Sequence, residues 1–484
     1  MVYVNTKKRA ARDVFDSLPQ VDRSAVDDLL AQELRQLGRK IIVLDDDPTG
    51  VQTVHGVSVY TDWSPESIEQ GFAEEHPLFF ILTNSRGMIA SETEAVHRQI
   101  ARQIAEVADK RNQPFMLISR GDSTLRGHYP LETQTLRETI EAQTEIVFDG
   151  EVLLPFFQEG GRYTVDNIHY VQYGTELVPA GETEFARDRT FGYRSSHLGE
   201  WVEEKSGGAY TAADTTYITL ESIRALKIDL IAGQLQRVTD FRKVVVNAVD
   251  YVDVKIFAIA LLRALKAGKQ FLFRTAAAFT KVIGGISDKP CLTREELIAE
   301  ETGTGGLILV GSHVKKTTEQ LAELQNNPAI RFIQLDSHLV LEPARFQAEV
   351  DRVVARCEEL IASGETVAVY TRRERLDLGP DKQEEELQLS VNISDAVTSI
   401  VQRLTVRPRY IIAKGGITSS DIGTKGLRVR RATVAGQIKP GVPVWKTGAE
   451  SKFPGIAYVI FPGNVGTTMT LRETVEILEG CGQR

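Results

Sequence analysis

Cysteine is scarce in this sequence, and what there is lies scattered. Cys291, Cys357 and Cys481 are too far apart to read as a disulfide framework or as metal-ligand spacing. A reducing cytoplasm is therefore the expected home. Long apolar runs are missing as well, and none reaches the roughly 20 residues that cross a bilayer. Met1 to Arg12 is polar and basic with no apolar segment behind it, which does not read as a secretory signal. Positive charge is in deficit, with a net charge of −9. That argues against a general affinity for nucleic acid or anionic membrane, while a local basic pocket is still allowed. Neither of the two common glycine-rich phosphate signatures occurs.

What is present fits a two-domain α/β protein. The chain has 484 residues, more than one ordinary core, and its 42% hydrophobic and 25% charged residues are a globular balance. Ser24 to Gly38 reads as an amphipathic helix with Val26, Leu29, Leu30, Leu34 and Leu37 on one face and Gly38 as its stop. Ile41–Leu44 then reads as a short buried strand. Runs at Phe79–Leu82, Phe115–Ile118 and Val244–Val249 alternate with helical stretches such as Glu92–Asp109, where Ser91 and Glu94 form an expected capping box. The rhythm breaks between Ile286 and Gly306. A second series follows, with strands at Leu307–Val310, Phe332–Leu335, Val367–Tyr370 and Tyr410–Ala413. The expected organisation is a helical extension over 1–39, one α/β domain over 40–285, a linker over 286–306 and a second α/β domain over 307–484, with the active site in an inter-domain cleft.

In the first half, polar motifs sit just past strands, where open α/β sheets bind ligands. Asp45-Asp46-Asp47-Pro48-Thr49-Gly50 follows the first strand. Its adjacent carboxylates repel, so the fold must supply a cation, a donor or a proton; a solvated acidic turn would look the same. Arg120-Gly121-Asp122-Ser123-Thr124-Leu125-Arg126-Gly127-His128 packs two guanidiniums, a carboxylate and two hydroxyls into one glycine-flanked loop. Arginine can grip a carboxylate bidentately, and Asp, Ser and Thr can hold hydroxyls. Asn84-Ser85-Arg86 adds a cation at the same sheet edge. His169-Tyr170 and Glu182 to Asp188 fall in a long, irregular polar stretch, either functional or an ordinary surface connection.

In the second half the signal is glycine. Tyr410–Ala413 runs into Lys414-Gly415-Gly416-Ile417-Thr418-Ser419, a strand–Gly-Gly–helix turn suited to cradling phosphate, with Thr418 or Ser419 as the expected helix cap. Alone it would be a tight βα turn. Gly311-Ser312-His313 and Phe461-Pro462-Gly463-Asn464 also follow strands, so all three turns should gather at one edge.

Together these motifs resemble the four-carbon acid sugar kinase family, over nearly the whole chain after about Arg39. The residues that carry the likeness are Asp46-Asp47-Pro48-Thr49-Gly50, Asp122-Ser123-Thr124-Leu125-Arg126-Gly127, Gly415-Gly416-Ile417-Thr418 and Gly463-Asn464. The resemblance implies an acid-sugar-binding N-terminal domain, a nucleotide-binding C-terminal domain, and ATP-dependent phosphorylation of a threonate-, erythronate- or 3-oxo-tetronate-like acid. It places Asp46, Asp47, Arg86, Asp122, Ser123 and Arg126 on the sugar side, and the Arg120 loop adds Arg120 to them. Among the candidate bases Asp46, Asp47 and Asp122, like charge at Asp45 should raise the pKa of its neighbours and Pro48 should fix the Asp47 backbone, so Asp47 is the expected base and Asp46 its partner toward substrate or Mg²⁺. On the ATP side the resemblance places Ser312, Gly415, Gly416, Ile417, Thr418, Ser419, Gly463 and Asn464. ATP and Mg²⁺ are the implied cofactors, metal ligands stay unassigned, and the partners are small molecules, with self-association open and no role for nucleic acid or membrane. The competing readings are a metal-dependent acid-sugar aldolase or hydrolase using Asp45–Asp47, and a non-catalytic ATP and sugar-acid sensor. Departures from the family pattern at Asp45, Val51 to His55, His128 and the N-terminal helix bear on the choice of sugar.

Overall fold

A strand covered by helices on both faces needs no polar alternation, and Lys40–Asp45 is buried at every position. The computed structural model describes residues 7–374 and 383–480, without the side chains of 383–387. Cys481 and the first six residues of the N-terminal stretch lie outside the described residues. Two units emerge: residues 1–54 with 62–288, and residues 55–61 with 289–484.

The first unit is built on seven strands, all parallel. Their order is Thr216–Ile218, Arg242–Val246, Gly150–Leu154, Phe271–Thr275, Phe115–Arg120, Lys40–Asp45 and Leu78–Leu82. The polar stretch expected to be irregular is ordered. Arg162–Val165, Ile168–Tyr173 and Glu176–Pro179 form an antiparallel sheet, completed by Arg9–Ala10 at its edge. Leu125 and Tyr129 pack with Ala186, Tyr193 and Trp201 in one apolar cluster, so this inserted region and the loop after Arg120 share a core.

In the second unit, Ile330–Leu335, Thr366–Thr371, Leu307–Val310, Tyr410–Lys414 and Ala457–Phe461 run parallel. Val442–Thr447, Arg431–Lys439 and Ser58–Tyr60 continue the sheet antiparallel. Its core gathers residues such as Ile308, Ile412, Val459, Leu471 and Val475.

Two local expectations change. The N-terminal helix spans Arg23–Leu34, capped by the Asp22 carboxylate on the Ala25 N–H, and ends before Gly38. The long helix starts at Ala90, one residue ahead of Ser91; Glu92 accepts from the Ile89 N–H, and Glu94 instead pairs with Arg98. Cys291 is exposed and Cys357 buried, both free. No helix among the described residues is long and apolar enough to cross a membrane.

One buried ion pair braces adjacent strands of the first unit. Lys243 Nζ lies 2.6 Å from Glu151 Oε2, with side chains 1% and 0% exposed, and the ammonium sits over the Tyr210 and Phe241 rings. Lys243→Met should destabilise the protein by about 3–5 kcal/mol, because Glu151 would stay buried without its cation. Adding Glu151→Leu should recover most of that loss in denaturant unfolding. A single variant as stable as the parent would show that the pair braces nothing.

Candidate functional site

Three neighbouring strands of the first unit end together, and each delivers part of one charged lattice. Asp45, Asp46 and Asp47 come from the end of Lys40–Asp45, Arg86 follows Leu78–Leu82, and Arg120 closes Phe115–Arg120. Asp46 Oδ1 accepts from Arg86 Nη2 at 2.6 Å and from Arg120 Nη1 at 3.0 Å, while its Oδ2 accepts from Arg86 Nε at 3.1 Å. Asp45 Oδ1 accepts from Arg120 Nη1 at 3.0 Å. Asp47 takes Arg86 Nη1 at 3.3 Å and the Thr49 N–H at 2.8 Å. Arg86 is thus spent on two carboxylates: burial opposes its charge, but Asp46 and Asp47 hold its pKa well above the ordinary value.

The carboxylates respond differently from the expectation that Asp45 would raise Asp47. Burial pushes Asp45 up to about 7 against Arg120, with Asp46 and Asp47 adding like charge. Asp47 feels burial too, but Arg86 and Thr49 outweigh it and hold the carboxyl below its ordinary value. The Asp47 side chain, at 16% exposure against 2% for both Asp45 and Asp46, is the most accessible of the three.

The next loop adds Asp122. Its Oδ2 accepts from Arg126 Nε at 2.7 Å and from the Thr124 hydroxyl. Burial would raise its pKa, but Arg126 and Arg86 hold it far below the carboxylate range. Arg126 also faces Asp188 at 3.7 Å and lies over the Phe185 ring. Ser123 is half-buried beside it, and its carbonyl accepts from His169 Nε2 at 2.7 Å. Burial lowers the His169 pKa to about 4, so the ring is neutral and serves as a brace.

Arg274 and Glu132 support this lattice without having been singled out. Arg274 Nη1 donates to Ser119 Oγ at 2.9 Å and to Glu132, which also accepts from Ser85 Oγ at 2.6 Å. A Cβ on Gly121 or Gly127 would stand 2.3 or 2.7 Å from the Arg274 guanidinium. The visible signal was one arginine inside the apolar strand Phe271–Thr275.

The second unit gathers its turns around a cavity of about 450 Å³. Ser312, Gly415, Gly416, Ile417 and Thr418 line it, together with His313, Val314 and Thr371. Gly415 has φ +124°, and a Cβ there would meet Ser312 Cβ at 2.9 Å. The helix Gly416–Asp421 begins with no side-chain cap, so its first N–H groups are available to an anion. The expected cap is absent because Ser419 turns inward: its hydroxyl donates to Ala413 O at 2.8 Å. Neither Gly463 nor Asn464 lines the cavity. Gly463 abuts it, since a Cβ there would lie 3.0 Å from Ser312 Oγ, whereas Asn464 is exposed. The helix Gln383–Arg403 supplies a wall the sequence reading missed, with Ser390, Ile393, Ser394 and Val397 at helical spacing. Ile417 (70% exposed) and Val314 (46%) add apolar surface suited to a flat nucleobase.

Lys414 lies under these turns. Its Nζ donates to Pro462 O at 2.5 Å and Gly463 O at 3.3 Å. Among the described residues, no group of three or more His, Cys, Asp or Glu is arranged to hold a metal. Asp45, Asp46 and Asp47 are occupied by arginines, so they do not form a ready Mg²⁺ ligand set.

The comparisons follow this division. A sugar-binding N-terminal domain matches residues 41–283, and a nucleotide-binding C-terminal domain matches residues 307–471. The chain belongs to the four-carbon acid sugar kinase family. It is 22% identical over 384 residues to a D-erythronate kinase of Heliobacterium modesticaldum, covering 75% of this chain and 79% of that protein. Two crystal structures share the fold. A Haemophilus influenzae protein aligns at TM-score 0.59 and 18% identity, covering 90% of this chain and 100% of its own. A Salmonella typhimurium LT2 protein, provisionally named a tRNA synthase, aligns at TM-score 0.64 and 15% identity, covering 90% and 99%.

Two outcomes follow from this geometry. A Cβ on Gly50 would stand 2.0 Å from Asp45 Oδ2. Gly50→Ala should therefore disrupt the lattice, lowering thermal stability and sugar binding while leaving ADP affinity in place; an unchanged melting temperature would show that the loop yields freely. The second concerns Lys414, whose pKa burial lowers from 10.5 to about 6, with Lys316 adding like charge. Between those values the unfolded chain binds the extra proton, so this group makes stability rise with pH across that window. Lys414→Met should flatten the slope measured by urea unfolding at about pH 7 and about pH 9. An unaltered slope would mean the ammonium stays charged in the fold.

Proposed function

We propose that this protein is an ATP-dependent kinase that phosphorylates a hydroxyl of a short acid sugar of the threonate, erythronate or 3-oxo-tetronate type. The observation that carries the reading is the uncapped Gly415–Gly416 turn opening onto a cavity in the nucleotide-binding domain. Backbone N–H groups at a helix start favour phosphate oxygens, and the apolar surface of Ile417, Val314, Ile393 and Val397 suits the base. The D-erythronate kinase relative supports the acid-sugar half.

On the sugar side, Asp122 and Ser123 are assigned to hydrogen-bond substrate hydroxyls, while Asp46, buried and held by Arg86 and Arg120, positions its neighbour Asp47. Arg86 and Arg120 hold the carboxylates in place, and Arg126 orients Asp122. Asp47 is assigned as the proton acceptor because it is the most exposed member of the aspartate triplet. Its lowered pKa makes it a weak base, which suffices where the alcohol proton departs late and transfer is chiefly positioning and charge neutralisation. Mg²⁺ would arrive on the nucleotide phosphates rather than on a protein site. A metal-dependent aldolase reading is weakened because Arg86 and Arg120 already occupy the aspartates it would need.

A coupled ADP-release assay over four- and five-carbon acid sugars tests the reading: ADP should form only with an acid present. Ligand-induced stabilisation without ADP would favour a sensor, and turnover without ATP would favour a lyase or hydrolase. Asp47→Asn should lower kcat by roughly 10²–10⁴-fold while calorimetry still detects sugar binding. Near-normal kcat in that variant, with Asp122→Asn inactive, would move the base to Asp122.

A further inference from the structure

The arginines around the sugar-side lattice are not equivalent. Arg86 pairs with Asp46 and Asp47, Arg120 with Asp45 and Asp46, Arg126 with Asp122, and Arg274 with Glu132. Arg162 stands apart: among the described residues, no carboxylate forms an ion pair with it, and its buried Nε has no hydrogen-bond partner. It opens the first strand of the inserted antiparallel sheet.

Its placement ties it to the site. The Arg126 and Arg162 guanidiniums share the Phe185 ring, at 5.1 and 5.6 Å from its centroid. Two strand positions beyond Arg162, Thr164 bonds His169, whose other nitrogen braces the Ser123 carbonyl. The Arg162 backbone is pinned by paired hydrogen bonds with Phe157, at 3.1 and 2.9 Å. A Cβ on Gly160 would meet the Phe157 ring at 2.5 Å and Arg162 Nη1 at 3.0 Å, so a side chain there would crowd both. Burial lowers its pKa, and the charges of Asp122 and Glu184 do not fully offset that cost. A partly desolvated guanidinium without a carboxylate is a standing demand for an anion.

We infer that Arg162 is the specificity-determining anchor for the substrate's carboxylate, with Phe185 as the platform that holds its plane. The inference rests on the acid-sugar reading of this unit and assigns the acid group to a residue outside the strand-end motifs. Asp122 and Ser123 then face hydroxyls, and the carboxylate lies toward the inserted sheet. A neutral polyol or lactone of the same length would leave Arg162 unsatisfied, so the site selects acids over their uncharged analogues.

The test is calorimetry on the full chain with threonate, erythronate and their lactones, beside ADP as a control ligand for the other unit. The wild-type chain should bind an acid and prefer it to its lactone. Arg162→Met should weaken acid binding about 10- to 100-fold, abolish that preference and leave ADP affinity unchanged. Arg162→Lys, which keeps the charge but loses the planar fork, should fall between them and serves where the methionine variant does not fold. Acid affinity unchanged in either folded variant overturns the anchor, as does a wild-type chain that binds none of these acids. A wild-type chain that binds acid through Arg162 yet releases no ADP overturns the kinase reading alone.

Discussion

Asp45, Asp46 and Asp47 emerge side by side from the end of a fully buried strand, and only Arg86 and Arg120 make that tolerable. Removing a carboxylate from water costs on the order of several kcal/mol unless a partner replaces the lost hydration. Both arginines must therefore reach the same point from the strands on either side. This constraint fixes Lys40–Asp45 between Leu78–Leu82 and Phe115–Arg120. It also requires a glycine at position 50, where any side chain would displace Asp45, and glycines at 121 and 127, against which Arg274 packs. The glycines of the motif are thus spacing devices for charge.

The nucleotide-side unit solves its problem by other means. Its turns present backbone N–H groups, and its buried Lys414 amine donates to carbonyls instead of pairing with carboxylates. One unit is organised by ion pairs between strand ends, the other by the geometry of glycine at strand ends. On the proposed reading, the first kind of site would discriminate by charge and hydroxyl pattern. On the same reading, the second would take a nucleotide through backbone donors for its phosphates and apolar surface for its base.

Much of this was legible in the sequence wherever chemistry clusters locally. Asp45 to Gly50 and Arg120 to Gly127 were visible as strand-end motifs, and the strand Leu307–Val310 was read to its residue limits. Partners contributed from afar were not. Arg274 and Glu132 lie in different elements, and nothing in their own neighbourhoods names the other. Ser419 could not be told from Thr418 as a cap, because which hydroxyl faces inward depends on the helix's rotation against Ala413. The pKa ordering of the aspartates also failed from sequence, since burial and Arg86 outweigh adjacency. Arg431–Lys439 was legible in principle: buried Ala432, Val434 and Ile438 alternate with more exposed positions at period two.

Ser58–Tyr60 belongs to the second unit although it sits among the residues of the first. It pairs with Arg431–Thr433, and Gly56 and Thr61 extend that backbone ladder. The chain therefore passes between the units three times, and neither unit is a contiguous stretch of sequence. Moving residues 289–484 alone into an unrelated protein would carry the cavity at Ser312 and Gly415 but leave its sheet's closing strand behind. The abandoned edge would expose unpaired N–H and C=O groups, a template for sticking to other chains. Evolution can thus refit either binding site by local change, but it cannot shuffle the two as separate cassettes.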